Sequence, residues 1–161
     1  MAQSRSIDAL SIDTAQSFGW FERQWGVFGL SGYYAFWLYL SNGLMIHSWI
    51  LAPTLEMGYG EPAFATVWHP DGLHEVVAVD PSTRAWDIWT SNFSGKKYFN
   101  KFLFDLEAHN TSLYVTQTIG ESELTPRQGG YNISEAYCQG EGKWDGKEVT
   151  FFGHVEQLSA L

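Results

Sequence analysis

The stretch from Tyr33 to Leu51 reads YYAFWLYLSNGLMIHSWIL, two apolar runs on either side of Asn42-Gly43. Asn-Gly is the strongest short hairpin signal, because both residues tolerate the positive φ angles of a type I′ turn. The pattern therefore predicts a β-hairpin with a two-residue loop, in which Leu38 lies opposite His47. Both faces of this hairpin are apolar, which is typical of a barrel whose outside is covered or whose mouth holds a ligand.

Short runs with a period of two continue along the chain, each bounded by turn signals. They predict strands at 17–27, 63–68, 73–79, 84–90, 98–108, 113–119, 131–139 and 149–158. A long helical pattern is missing. We therefore expect an all-β protein, an antiparallel lipocalin-like β-barrel (calyx) of about 8–10 strands with little helix. The polar residues 1–14 are predicted to be a flexible lead-in, and residues 15–161 to form a single barrel domain.

Composition limits the classes of partner. The chain has 161 residues, 17% of them aromatic and 8 of them Trp, which favours a hydrophobic small-molecule ligand or a large aromatic core. Its formal net charge of −9 argues against nucleic acid and anionic membrane surfaces as partners. The single cysteine, Cys138, excludes an internal disulfide, and no apolar signal segment is visible at the N-terminus. We expect a cytoplasmic protein without a membrane span.

Three segments resemble one known family. They are Trp20-Phe21-Glu22-Arg23-Gln24-Trp25-Gly26, then Trp89-Thr90-Ser91 with Gly95 and Tyr98, and finally Tyr131, Ser134-Glu135-Ala136, Gly146-Lys147 and Gly153-His154-Val155-Glu156. In order and spacing, over about residues 15–158, they are similar to the carotenoid 1,2-hydratase-like proteins of the lipocalin-like superfamily, which includes kievitone hydratase and fungal Diels–Alderases. The segment Phe152-Gly153-His154 departs from that family's Gly-x-Gly-Tyr.

That resemblance implies a lipocalin-like barrel and either cyclisation or hydration of an apolar natural product. Members of the family usually have two such domains, and these motifs are those of the second. A single copy would therefore build its own pocket or recruit a partner, and we expect a homodimer.

Two residues are predicted to be catalytic, Glu22 and His47. Glu22 lies between Trp20 and Gln24, and burial there would raise the pKa of its carboxyl group and make it a general acid. The alternative is a structural ion pair that closes the barrel. His47 is either a proton donor or acceptor in an apolar pocket, or a core histidine bonded to the backbone.

Further candidates line the expected pocket. The predicted substrate-binding residues are Trp20, Gln24, Trp37, Tyr39, Trp49, Trp89 and His154. Four of them, Trp37, Tyr39, Trp49 and Trp89, could instead be simple core residues. His154 and Glu156 share a face of the last strand, which predicts either a proton relay or a salt bridge at the rim. Glu135 is expected to have a structural role.

The absence of other sequence motifs argues against several kinds of catalysis. The five histidines lack metal-ligand spacing, and neither a G-x-S-x-G elbow nor a phosphate loop occurs, so we expect no metal and no cofactor. The leading hypothesis is a cofactor-independent cyclase or isomerase, a Diels–Alderase-type pericyclase, acting on a hydrophobic polyene or quinone-methide-like intermediate of secondary metabolism. The alternatives are a hydratase or dehydratase on an apolar natural product, and a non-catalytic lipocalin-like binding module.

Overall fold

The computed structural model describes residues 32–51, 63–80, 83–125 and 130–158, together with Asp13, Ser17, Gly19 and Phe21. The strand predicted at 17–27, and with it Glu22, Trp20 and Gln24, falls outside the continuous stretches described. Within the described residues no helix is long and apolar enough to cross a bilayer.

The described residues form ten strands and one short helical turn. The strands are β1 Tyr33–Leu40, β2 Met45–Leu51, β3 Phe64–Trp68, β4 His74–Ala78, β5 Arg84–Thr90, β6 Lys97–Leu106, β7 Thr111–Gln117, β8 Glu123–Leu124, β9 Ile133–Trp144 and β10 Lys147–Leu158. A single 3₁₀ turn, Ala108–Asn110, joins β6 to β7. The expected all-β architecture with little helix is confirmed.

All ten strands belong to one antiparallel sheet, in the order β4-β3-β2-β1-β10-β9-β7-β6-β5, with β8 paired to β9. Two strands are longer than predicted, because β9 continues through Gly140 and Gly142 to Trp144 and β10 begins at Lys147. The glycines and charged residues of 140–148 hide the period of two, yet the two strands remain paired up to Trp144 and Lys147, on either side of the turn Asp145-Gly146. The two-residue β8 lies in a stretch predicted to be a polar loop.

The Tyr33–Leu51 hairpin exists, but its predicted register is wrong by one residue. Leu40 and Leu44 close a three-residue loop, with the Leu40 amide donating to the Leu44 carbonyl at 2.8 Å. Gly43 has a φ of 87°, whereas Asn42 does not adopt a positive φ, so the turn is not type I′. Because side chains alternate along a strand, this shift moves every β2 side chain to the other face relative to β1. His47 consequently lies opposite Trp37 and not opposite Leu38.

The sheet curls until its ends meet at one point. Val79, just after β4, forms a bridge with Leu106 of β6, and the Asp80 amide donates to the Asp105 carbonyl at 2.9 Å. Among the described strands the two ends of the sheet share no continuous ladder, so the barrel is not fully closed. Phe36 of β1 packs against Phe102 and Phe104 of β6, with ring centroids 5.2 Å apart in both pairs.

One face of the sheet therefore forms the interior. Its buried residues make one core cluster, which includes Phe36, Leu38, Ile46, Val67, Phe102, Phe104, Leu113, Val115, Cys138, Phe151 and Val155. On the opposite face a smaller cluster contains Tyr33, Ala35, Trp37 and Leu158. We call this second face, as it crosses β2, β1, β10 and β9, the outer face. Apolar side chains on both faces of β1 explain the two-sided apolar pattern of its sequence.

Candidate functional site

The outer face carries two rows of side chains that contain histidines and carboxylates. Strand register aligns His47, Trp37, His154 and Tyr137 in one row across β2, β1, β10 and β9. The adjacent row consists of Trp49, Ala35, Glu156 and Glu135. Because opposed residues on neighbouring strands place their side chains side by side, these rows bring two histidines and two carboxylates onto one surface.

A histidine and a carboxylate form the centre of this surface. His154 Nε2 and Glu135 Oε2 are joined by a hydrogen bond. The His154 side chain is 38% exposed and that of Glu135 is 31% exposed, so the pair is accessible and still partly shielded. An ionised carboxylate only accepts hydrogen bonds, so Nε2 carries the hydrogen and Nδ1 is the nitrogen that can take up a proton.

A second carboxylate lies directly beside the first. Glu156 of β10 is opposite Glu135 of β9, and like charges in that arrangement repel. Each carboxylate has its own donor, because the Tyr33 hydroxyl donates to Glu156 Oε1 while His154 binds Glu135. The hydrogen bond of His154 is therefore to Glu135 on the neighbouring strand, whereas the sequence predicted Glu156 as its partner.

Trp37 lies between the two histidines of the first row. Its ring stacks on His47 at 5.0 Å with an interplanar angle of 20°, and lies 5.3 Å from the ring of His154. The Trp49 indole N–H donates to His47 Nε2 at 3.0 Å, so that nitrogen is the acceptor. Trp49 also stacks on Tyr33 at 4.5 Å. The site is thus walled by indole and phenol rings.

The predicted candidates separate into three groups. The structure brings His47, Trp37, Trp49 and His154 together on the outer face, with Tyr39 one pair further along β1. Trp89 lies elsewhere, because it is on edge strand β5, where it pairs with Tyr98 of β6 with ring centroids 4.9 Å apart. Glu22, Trp20 and Gln24 lie outside the described residues.

The sequence did not indicate Tyr33 as a candidate, and it predicted only a structural role for Glu135. Their partners, Glu156 and His154, come from other strands, and the distance along the chain between Tyr33 and Glu156 is 123 residues. The sequence offered one indication, the alternation of side chains along each strand. Glu135 on β9 and Glu156 on β10 are polar residues that alternate with buried positions, and both are partly buried in the structure.

Another polar cluster surrounds Glu123, next to the Trp89-Thr90-Ser91 motif. Glu123 accepts hydrogen bonds from the Ser91 hydroxyl at 2.6 Å, from the Ser94 hydroxyl at 2.5 Å and from the Tyr98 hydroxyl at 2.7 Å. Burial opposes ionisation of Glu123, but these hydrogen bonds outweigh it and lower the pKa of its carboxyl group. Since its oxygens are occupied by partners that order the β5–β6 turn, this cluster is structural.

Histidines also gather where the sheet ends meet. His69 Nε2 and His109 Nε2 approach Glu75 Oε1 at 2.9 and 2.8 Å. The hydrogen bond from His69 is the largest cause of a lowered pKa at Glu75. In the part of the chain that the structure describes, no group of three or more His, Cys, Asp or Glu side chains is placed to hold a metal ion.

The sheet and its curl define an all-β, lipocalin-like fold. The solved structures with this fold include kievitone hydratase from Nectria haematococca, with a TM-score of 0.72 and 19% identity over 86% of this chain. They also include a Nitrosomonas europaea protein assigned as an AttH, with a TM-score of 0.64 and 16% identity over 81% of this chain. The resemblance read from the sequence motifs is thereby confirmed at the level of the fold.

This chain corresponds to only part of each of these solved structures. The chain spans 43% of the kievitone hydratase chain and 39% of the AttH chain, less than half of each. No protein-family profile matches the sequence, and no curated protein matches it at a significant level. At such identities the likeness concerns the fold alone.

Proposed function

We propose that this protein is an enzyme of the lyase kind, a hydratase or dehydratase that adds water to, or removes water from, an apolar substrate bound on the outer face. The observation that carries the proposal is the His154–Glu135 pair, a proton-transfer couple set among aromatic rings. General acid–base catalysis by one positioned side chain contributes roughly 10²–10⁴-fold to a rate. The kievitone hydratase fold is consistent with this class.

In the dehydration direction, His154 takes a proton at Nδ1 from the carbon next to the hydroxyl-bearing carbon. The C–O bond breaks, an alkene forms, and the departing oxygen takes the same proton from the imidazolium as water. Glu135 keeps the imidazole in one tautomer and offsets the positive charge that forms on it. Hydration is the reverse sequence, with His154 removing a proton from water.

The aromatic walls have a separate task in this proposal. Trp37 is 4% exposed and packs against His47, while Trp49 is partly exposed beside His47 on the same face. The exposed part of the Trp49 ring would hold the apolar part of the substrate and keep bulk water away from a reactive intermediate.

Cyclisation of a polyene is the second candidate, favoured by the stacked walls Tyr33–Trp49 and Trp37–His47, which could hold a chain in a folded shape. In that case a polar group of the outer face would hydrogen-bond a carbonyl of the substrate, and the histidine pair would matter less. A binding module without turnover is the third.

Incubation of the purified protein with a panel of polyenes and their tertiary alcohols separates these functions by product mass. Hydration adds the mass of one water, dehydration removes it, and cyclisation leaves the mass unchanged. We expect His154→Gln and Glu135→Gln to lower turnover, the former by roughly 10²–10⁴-fold. His74→Gln, at an exposed histidine of β4, is the matched control and should retain full activity. Equal rates for His154→Gln and His74→Gln would exclude acid–base catalysis by His154.

A further inference from the structure

Two histidines and two carboxylates meet where the two ends of the sheet come together. Glu75 is on β4, His69 in the β3–β4 turn, His109 in the 3₁₀ turn before β7, and Asp145 in the β9–β10 turn. His69 Nε2 and His109 Nε2 lie 2.9 and 2.8 Å from the same oxygen atom, Glu75 Oε1. His109 Nδ1 lies 3.3 Å from Asp145 Oδ1. We call these four residues the Glu75 cluster.

The cluster bridges a junction that the backbone joins only in part. In the described sheet, β4 is the last strand at one end and is paired with β3 alone. The backbone contacts between the two ends of the sheet involve residues 78–80 on one side and 105–107 on the other. We call this junction the seam. Among the described residues no backbone hydrogen bond crosses the seam at Glu75, so the side-chain contact between Glu75 and His109 connects β4 with the 3₁₀ turn there.

His109 is the fixed half of that contact. Its ring stacks on Trp144, which is 6% exposed, with centroids 4.5 Å apart and an interplanar angle of 21°. The Asp145 amide donates to the His109 carbonyl at 2.7 Å. His109 and Asp145 have φ angles of 67° and 48°, a conformation that persists outside glycine only where the surroundings hold it. Glu75 is on an edge strand, so it is the half that can move away.

The contact depends on charge. His109 Nε2 approaches Glu75 Oε1 without the alignment of a hydrogen bond, so the attraction between them is that of opposite charges. The hydrogen bond from His69, followed by the charge of His109, lowers the pKa of the Glu75 carboxyl group. This stabilisation is therefore present above the ordinary glutamate pKa and disappears as the pH falls through the lower folded value.

Protonation of Glu75 would do more than remove an attraction. Histidine side chains carry positive charge in acid, and both imidazoles lie within hydrogen-bond distance of the same carboxylate oxygen. With that oxygen neutral, His69 and His109 would face each other as two cations, and like charges at short range repel. Asp145 is on the other side of the His109 ring, at Nδ1, and does not lie between the two cations.

We propose that the Glu75–His109 contact is an acid-released latch on the seam, which holds β4 against the 3₁₀ turn near neutral pH and lets β3 and β4 separate from it in acid. Val77, on the same face of β4 as Glu75, and Val79 belong to the core cluster. Separation would uncover them, so the latch controls access to the interior from this side. The inference does not rest on the proposed function, because the outer-face site is on other strands.

Hydrogen exchange of the full chain, followed by mass spectrometry and expressed as protection factors, tests the latch. Glu75→Gln keeps the shape of the side chain and removes its charge. At pH 7 we expect this variant to lose about three- to tenfold protection in β3, β4 and the turn between them, with β9 and β10 unchanged. On lowering the pH, the native protein should lose the same protection in β4 before β9 and β10 lose theirs, whereas Glu75→Gln should show no such separate step.

Glu148→Gln is the matched control. It removes the same charge from an exposed ion pair with Lys143, 3.7 Å apart at the β9–β10 hairpin, and should leave β4 protected. If Glu75→Gln does not fold, His109→Asn removes the other half of the contact with a residue that tolerates positive φ, and should cause the same local loss. Unchanged protection of β4, an equal loss in all strands, or an equal effect of Glu148→Gln would overturn the latch. Loss of β4 protection in the native protein only together with that of β9 and β10 would overturn its release by acid.

Discussion

Replacement of Gln157 should destabilise the protein more than that of any polar residue on the surface. Its side chain is 1% exposed, and it reaches from β10 to the backbone of β6. The amide oxygen accepts from the Phe99 N–H at 2.9 Å, and the amide nitrogen donates to the Phe99 carbonyl at 2.8 Å. The β6–β7 pairing starts only at Lys101, so Gln157 satisfies backbone groups where β7 has no paired residue.

The expected loss follows from those two bonds. Each contributes a net of about 1 kcal/mol, and each backbone group left without a partner costs about 1–3 kcal/mol when it remains buried. Gln157→Met keeps the length and volume of the side chain and removes both bonds. We therefore expect the free energy of unfolding to fall by about 2–5 kcal/mol, a large part of the 5–15 kcal/mol typical of a domain.

Urea unfolding followed by tryptophan fluorescence measures this loss. Gln139→Met is the matched control, because Gln139 is exposed on β9 and its replacement should change stability by less than about 0.5 kcal/mol. A loss below about 1 kcal/mol for Gln157→Met, or a loss equal to that of the control, would refute the assigned role of the amide.

Three other outcomes are expected. Gly153→Ala would place a Cβ 1.9 Å from the Trp37 carbonyl oxygen, so β1 and β10 must separate. Thermal melting should show that the free energy of unfolding falls by about 1–3 kcal/mol or more. Gly120→Ala is the control and should be tolerated, because a Cβ there meets nothing within 4 Å. Because the pKa of Glu123 is lowered by folding, its stabilisation is present above the ordinary glutamate pKa and disappears as the pH falls through the folded value; Glu123→Gln should flatten the acid limb of a stability–pH curve, and an unchanged limb would contradict this. Burial raises the pKa of the Cys138 thiol to about 12, so Ellman's reagent should label it in urea and leave the native protein unlabelled.

The sequence allowed the strands to be predicted better than their mutual alignment. Asn42-Gly43 correctly indicated a hairpin, because any tight turn benefits from a residue that tolerates positive φ. It did not distinguish a two-residue loop from a three-residue loop, since a single glycine with positive φ is sufficient for the latter. One residue of loop length decides whether His47 lies beside Trp37 or beside Leu38.

Prediction of the candidate site was also limited by the unknown alignment of the strands. His47, Trp49 and His154 could be selected because each is polar or amphipathic within an apolar strand. Glu135 could not be matched to His154, because their contact depends on the alignment of β9 with β10 across Asp145-Gly146. The expected dimer and the single-domain boundary stay predictions, to be tested by sedimentation and by limited proteolysis.

The pairing of β1 with β10 has a consequence for folding during synthesis. Trp37 and Tyr33 meet His154 and Glu156 only when strands more than a hundred residues apart along the chain have come together. Closing so long a loop costs chain entropy before the stabilising contacts between the strands can form. We therefore expect this pairing to form slowly, on the scale of about milliseconds to seconds that is typical of β proteins. During synthesis the outer-face site cannot exist until β10 has left the ribosome. Refolding kinetics followed through tryptophan fluorescence would then report the arrival of the last strand.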